Sequence, residues 1–229
     1  MNNINITQGM IRDALRYMRV QEPDKDLINS ITASFQLLNN IIRPRKIYGT
    51  FSIMRDNNFL NIAGINLNSQ HLANLLKNSH ECCLMAVTLG HEADREILKT
   101  QSRSMADGLI LDACASVMAD VICDELEAEI IENLNIKSGA ACEDNLKNLN
   151  FKLTPRFSPG YGDVSLSVSQ DIIDVLNANK YIGLSMTKSG MMSPVKSITA
   201  IAGVINNNFN FNKFNRCDLC NHRQDCNYK

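Results

Sequence analysis

RFSPGYGD, residues 156–163, gathers an arginine, a proline, two glycines, two aromatics and an acid into eight positions. Proline fixes φ and glycine tolerates φ > 0, so Pro159-Gly160 reads as the centre of a tight turn. A turn needs neither Arg156 before it nor Tyr161 after it. Those two side chains are the first candidates for a contact beyond the turn.

Downstream, VSLSVSQDIIDVLNA (164–178) is expected to turn helical from about Ser169. YIGLSMTK (181–188) and KSITAIAGV (196–204) read as strands joined through SGMMSP. Upstream, beyond a polar linker at 135–150, the longest helical pattern runs from about Met105 to Asn133. It is apolar almost all round between Leu109 and Cys123, which implies a buried helix. Asp112, Ser116, Asp120 and Asp124 recur every fourth residue and form one polar stripe. Unpaired carboxylates are costly to bury, so the stripe must meet solvent, a cleft or a cationic partner.

Towards the N-terminus, Ile6, Met10, Ile11, Ala14, Leu15 and Met18 have helical spacing. Asp24 or a neighbour is placed to cap a second helix bearing Leu27, Ile31, Phe35, Leu38 and Ile42, which Pro44 ends. KIYGTFSIM (46–54) and FLNIAGINL (59–67) read as a β-hairpin, and Ser69 as the cap of a short helix. CCLMAVTLG (82–90) has the continuous apolar character of a buried strand running into a loop. Helices, hairpins and few βαβ crossovers predict an α+β fold, a single domain with a mainly antiparallel, bent β-sheet flanked by helices.

Composition narrows the classes of function. The chain is 45% hydrophobic and 21% charged, a globular rather than a disordered balance. Its net charge of −1 leaves no electrostatic footprint for a phosphate backbone, so nucleic acid is not an expected partner. No uncharged apolar run is long enough for a bilayer, and MNNINITQ lacks the basic and apolar regions of a signal peptide. Eight cysteines in that setting point to a reducing compartment and a cytoplasmic location. Cys82, Cys83, Cys114, Cys123 and Cys142 lie in or near apolar stretches, where buried thiols are common.

RFSPGYGDVSLSVSQ followed by IGLSMTKSGMMSPVKSITAIAGV resembles the activation domain of cobalamin-dependent methionine synthase, in its short stand-alone form. ALRYMRVQEPDKDL, RPRKIYGTFSI, MAVTLGHEADREI and LILDACASVMADVICDELEAEI fit the same pattern in the same order. The resemblance implies an activation component of the methyltransferase class that binds S-adenosylmethionine (AdoMet) and supports reductive methylation of cob(II)alamin to methylcobalamin. Cobalamin would be supplied by a partner, a methionine synthase or other corrinoid protein, on which the chain acts in trans. The electron would come from a reductase or flavodoxin-like donor. Residues 1–205 would form the activation-like domain, with 1–44 its N-terminal helical part, and 206–229 an Asn-rich linker and Cys-rich tail.

Carried over residue by residue, the resemblance makes Arg156 the grip on the ligand's carboxylate. It brings the Ser158 backbone and the Pro159-Gly160 turn close to the ligand, and sets Tyr161 beside the nucleoside or the corrin edge. Asp120 stands where the family usually has a glutamate and would meet the ligand's ammonium. Read without the resemblance, Arg156 pairs with Asp163 or an acid of the long helix, and Tyr161 is a core aromatic. Ser189, Met191, Met192, Pro194, Lys196 and Ser197 match a second family signature and read as scaffold, with Lys196 a candidate site residue.

CDLCNHRQDC at the C-terminus spaces Cys217, Cys220 and Cys226 with His222 between them. That set suits zinc with a fourth ligand, an iron–sulfur cluster, or a tail of reduced thiols. Two other functions fit parts of the chain. One is a corrinoid-protein partner that makes no use of AdoMet. The other is a small-molecule AdoMet-dependent methyltransferase, for which AVTLGHEAD carries only one glycine of the expected phosphate-binding loop.

Overall fold

The computed structural model describes residues 4–56, 59–140 and 150–206. Its elements, in chain order, are α1 (Gln8–Met18), α2 (Lys25–Ile41), β1 (Arg45–Asp56), β2 (Phe59–Ile62), β3 (Ile65–Asn68), α3 (Gln70–Leu75) and β4 (Glu81–Thr88). There follow α4 (His91–Gln101), α5 (Met105–Ala140), β5 (Phe151–Leu153), α6 (Val168–Val175), α7 (Ala178–Ile182), β6 (Ser185–Met186), β7 (Met192–Ser193) and β8 (Ser197–Asn206). One antiparallel sheet has the strand order β3-β2-β1-β4-β8-β5, and β6 and β7 form a separate two-stranded ribbon. The α+β architecture with an antiparallel sheet and flanking helices is therefore present.

Two compact units divide the chain, each built from three separate segments. Among the described residues, the first takes those up to Lys46, Val87–Cys123 and Ile182–Ile198; the second takes those of Ile47–Ala86, Asp124–Tyr181 and Thr199–Asn206. In the first, Met10, Ile11 and Ala14 of α1, Ile31, Phe35 and Leu38 of α2, and Ala93 and Ile97 of α4 are buried. The ends of these helices follow local chemistry. Thr7 accepts from the Met10 amide and Asp24 from the Leu27 amide, so each N-terminus has its cap.

The second unit holds most of the sheet. β4 is buried at every position after Glu81, as a central strand covered on both faces should be. The segment 59–67 is two strands rather than one. Ala63 (φ 53°) and Gly64 (φ 87°) both lie in the left-handed region and reverse the chain between β2 and β3, as two-residue hairpin loops demand. Ser69 caps α3 by accepting from the Leu72 amide.

Two other expectations change. Tyr181 and Ile182 close α7, Gly183 (φ 70°) ends it, and only Ser185 and Met186 pair as a strand. His91–Gln101 is a helix that the strand-to-loop reading did not foresee; Gly90 stands at its N-cap, and Glu92 and Asp94 occupy its first turn. Cys82, Cys83, Cys114 and Cys123 are buried. Burial pushes the Cys82 and Cys114 thiols up to about 12, with the Cys83 neighbour adding to it at Cys82. These groups are packing thiols rather than nucleophiles. Cys142 lies outside the described residues.

At Gly203 in β8, a Cβ would meet Leu76 Cδ2 at 2.8 Å and Ser79 Cβ at 3.0 Å. Gly203→Ala is expected to destabilise the protein by about 1–3 kcal/mol, the usual effect of overpacking. Chemical denaturation checks it: an unchanged midpoint would show that Leu76 and Ser79 can move aside.

Candidate functional site

The 156–163 loop grows out of the sheet edge. β5 pairs with β8 through Phe151↔Asn206, Lys152↔Ile205 and Leu153↔Val204. Beyond it the Thr154 amide donates to the Gly203 carbonyl at 2.9 Å, and the Gly203 amide donates to Thr154 Oγ1 at 2.9 Å. Phe157 and Ile201 then exchange both backbone hydrogen bonds, at 2.8 and 2.9 Å. The loop thus starts from a fixed backbone, with Phe157 buried.

Arg156 turns to the long helix. Its Nη1 donates to Asp124 and, at 2.8 Å, to Glu127 Oε1. The arginine side chain is 7% exposed, Glu127 19% and Asp124 58%. Two carboxylates at one nitrogen fix the guanidinium's plane. Of the two readings made without the resemblance, the pairing with an acid of the long helix is the one present. Asp163 is engaged elsewhere.

The turn forms as its residues require. The Tyr161 amide donates to the Ser158 carbonyl at 3.4 Å, with Pro159 and Gly160 between them and Gly160 at φ 90°. That is the type II pattern, proline first and glycine in the left-handed position second. The Gly160 amide donates onward to the Val164 carbonyl at 3.0 Å. Tyr161 is 68% exposed, so it is not a core aromatic.

Asp163 closes the loop against α3. Its carboxylate accepts from the Ser69 hydroxyl, from the Gln70 amide at 2.7 Å and from the His71 amide at 3.3 Å. His71 Nδ1 lies 3.5 Å away. Partial burial would raise this carboxyl, but the Ser69 hydroxyl, the two amides and the His71 ring outweigh it and hold Asp163 below the usual aspartate value. Sequence reading did not single out this docking.

The polar stripe of α5 is taken up in turn. Lys196 Nζ contacts Asp112 Oδ2 and Ser116 Oγ, each at 2.9 Å. The Tyr17 hydroxyl donates to Asp120 Oδ2 at 2.8 Å. Asp94 accepts from the amides of Val195 at 2.8 Å and Lys196 at 3.3 Å. Lys196 therefore has a structural engagement, consistent with scaffold, and Asp120 is held by a residue of α1. Arg156, Ser158, Pro159, Gly160 and Tyr161 share one loop. Cys217, Cys220 and Cys226 lie outside the described residues, and among the described ones no cluster of three or more His, Cys, Asp or Glu could hold a metal. No helix of the described residues is long and apolar enough to cross a membrane.

An α+β chain with this sheet has a known structural counterpart. The crystal structure of the MetH reactivation domain bound to AdoHcy matches it with a TM-score of 0.57 at 15% identity, covering 87% of this chain and 77% of that one. The chain has the fold of a reactivation domain. Residues 68–224 match the family model described as vitamin B12 dependent methionine synthase, activation domain, and the chain belongs to that family. No curated protein matches it by sequence.

Asp163 gains donors on folding, so its stabilising effect is present above the ordinary aspartate value of 3.8 and is lost as pH falls through its lower folded value. Thermal melts between roughly pH 5 and 2 should therefore decline more steeply for the wild type than for Asp163→Asn. Parallel acid limbs would show that the carboxylate contributes nothing through its charge.

Proposed function

We propose that the chain binds AdoMet through the Arg156–Tyr161 loop and supports reductive methylation of cob(II)alamin, in trans, on a separate cytoplasmic corrinoid-bearing methionine synthase. The observation that carries this reading is the pre-set Arg156: a nearly buried guanidinium, oriented by Glu127 and the more exposed Asp124, one turn away from a glycine without a side chain. Family membership and the AdoHcy-bound structural counterpart support the ligand class.

AdoMet offers a carboxylate, an ammonium, a sulfonium and an adenine. Arg156 would take the carboxylate in competition with Asp124, while the better-buried Glu127 keeps the guanidinium in place. The Ser158–Gly160 backbone would approach the ligand closely, since Gly160 carries no Cβ. Tyr161, already presented to solvent, would flank the nucleoside or the corrin edge. Asp120, with the Tyr17 hydroxyl on one oxygen, is the proposed acid for the ammonium. One electron from a reductase or flavodoxin-like donor would reduce cob(II)alamin to cob(I)alamin, to which the sulfonium would give its methyl group, the carbon–sulfur electron pair staying on sulfur so that AdoHcy leaves as the neutral thioether. The chain's residues position the methyl donor and exclude water; they supply no acid or base.

Calorimetric titration of AdoMet into the purified protein tests this. Saturable binding should weaken by about 100-fold or more in Arg156→Ala, the loss of a charge-assisted grip. A wild type that binds no AdoMet, alone or with a cobalamin-loaded partner, would sink the reading. The pairing of Arg156 with two acids would then favour the second reading, a corrinoid-protein partner in which the arginine is purely structural.

Cys217, Cys220 and Cys226 are proposed to hold a metal centre, since two thiolates with two residues between them can chelate one ion and a third adds a ligand. Metal analysis of protein purified without oxygen separates the cases. Iron with a visible absorption band assigns a cluster, colourless zinc a structural ion, and neither metal removes the proposal.

A further inference from the structure

Between Phe157 and Val164 the chain makes an arch fixed at both ends. Its first end is the backbone pair with Ile201. Its second is Asp163, whose one carboxylate gathers the Ser69 hydroxyl and the amides of Gln70 and His71. Ser69 is itself buried and caps α3, so the acceptor for the loop and the cap of the helix are joined through one hydroxyl.

The segment between these ends has little side-chain support. Gly160 and Gly162 both have positive φ, at 90° and 57°. Tyr161 is exposed, and Leu166 is half-exposed beside Gly160. At Gly162 a Cβ would stand 2.6 Å from His71 Nδ1, so α3 and the loop approach each other where only glycine fits. A glycine-rich arch with an exposed aromatic has many accessible shapes unless something else selects one. The backbone hydrogen bonds inside the arch, Tyr161 to Ser158, Gly160 to Val164 and Val164 to Tyr161, span only a few residues. Asp163 supplies the remaining constraint from 93 residues away in sequence.

We infer that Asp163 is a positioning residue for AdoMet binding: by tying the loop to Ser69, Gln70 and His71 it selects the one shape of the Ser158–Gly162 arch that accepts the ligand. The inference rests on the reading of this loop as the AdoMet site. Asp163 touches no ligand in it; the residue acts through the turn. Holding a site within a fraction of an ångström is what such an outer residue contributes, and a loop site needs it more than one on a helix or strand.

Hydrogen exchange on the full chain, paired with AdoMet titration, tests this with Asp163→Ala and Asp163→Asn. The amides of Gln70 and His71 lose their acceptor directly in the alanine variant and so report only the substitution. Those of Gly160, Tyr161 and Val164 do not touch Asp163, and they report the shape of the arch. In Asp163→Ala they should exchange at least about tenfold faster, and the AdoMet Kd should rise at least about tenfold. Phe157 and Ile201 amides should keep their wild-type protection, which separates loop release from general unfolding.

Asp163→Asn keeps one carbonyl oxygen as acceptor and should fall between the two in both measurements, a graded rescue that a general loss of stability would not produce. Unchanged exchange at Gly160, Tyr161 and Val164 would overturn the inference, as would faster exchange with an unaltered Kd. If the wild type itself binds no AdoMet, the reactivation reading falls, and Asp163's ligand role falls with it. The two failures are therefore distinct: only the first leaves a wild type that still binds.

Discussion

A helix that is apolar on nearly every side and carries an acid or hydroxyl every fourth residue cannot be buried without partners. α5 is that helix. Its stretch from Leu111 to Ile130 is buried at most positions, yet it bears Asp112, Ser116, Asp120, Asp124 and Glu127. Desolvating such a group unpaired costs several kcal/mol, and here the cost falls mainly on Glu127, 19% exposed, since Asp112 and Asp124 keep 42% and 58% exposure. Each compact unit answers for the stretch it contains. In the first, Lys196 serves Asp112 and Ser116, and Tyr17 serves Asp120; in the second, Arg156 serves Asp124 and Glu127. Folding α5 therefore commits Arg156 in position. The arginine proposed to grip the ligand is one the fold already needs.

In the proposed site, such a dual use would bear on affinity. A guanidinium 7% exposed and paired to two acids starts from a stable state, so a ligand carboxylate gains only the difference between itself and what it displaces. Asp124, 58% exposed, regains most of its hydration on release; Glu127 at 19% would not. The exchange would thereby be directed to one acid. The cost of orienting the arginine has been met in folding rather than in binding.

Local chemistry was legible wherever donor and acceptor are neighbours. Asp24, Ser69 and the Pro159-Gly160 turn were read from residues within three or four positions, and each forms. The stripe on α5 follows from period alone, which leaves solvent, a cleft or a cationic partner open; for Arg156 the sequence offers Asp163 or an acid of the long helix without saying which. What the sequence could not show was reach. Asp163 meets α3 across more than ninety residues, and no spacing rule connects them. The split of 59–67 was hidden because Ala63 in a left-handed conformation leaves no compositional mark, although Gly64 beside it does. The strand expected at 181–188 failed for a related reason. Its alternation is too short to tell strand from helix end, and Gly183 decides for the latter.

The exposure of Tyr161 now has a physical setting. A tyrosine ring left mostly in water forgoes the ~1.5–3 kcal/mol that burial of a large apolar side chain provides. Neighbouring Phe157 and Val164 are buried, so the loop is not short of core to enter. What keeps Tyr161 out is the backbone. Pro159 and Gly160 set the type II turn, Gly162 holds φ at 57° and Asp163 ties the chain to α3, and between these fixed points Tyr161 stays at the surface. The ring's exposure is thus enforced by two glycines and a carboxylate rather than left by default. An arrangement that gives up side-chain burial in order to fix backbone shape suits the binding role proposed for this loop, in which the ligand would supply the missing contacts.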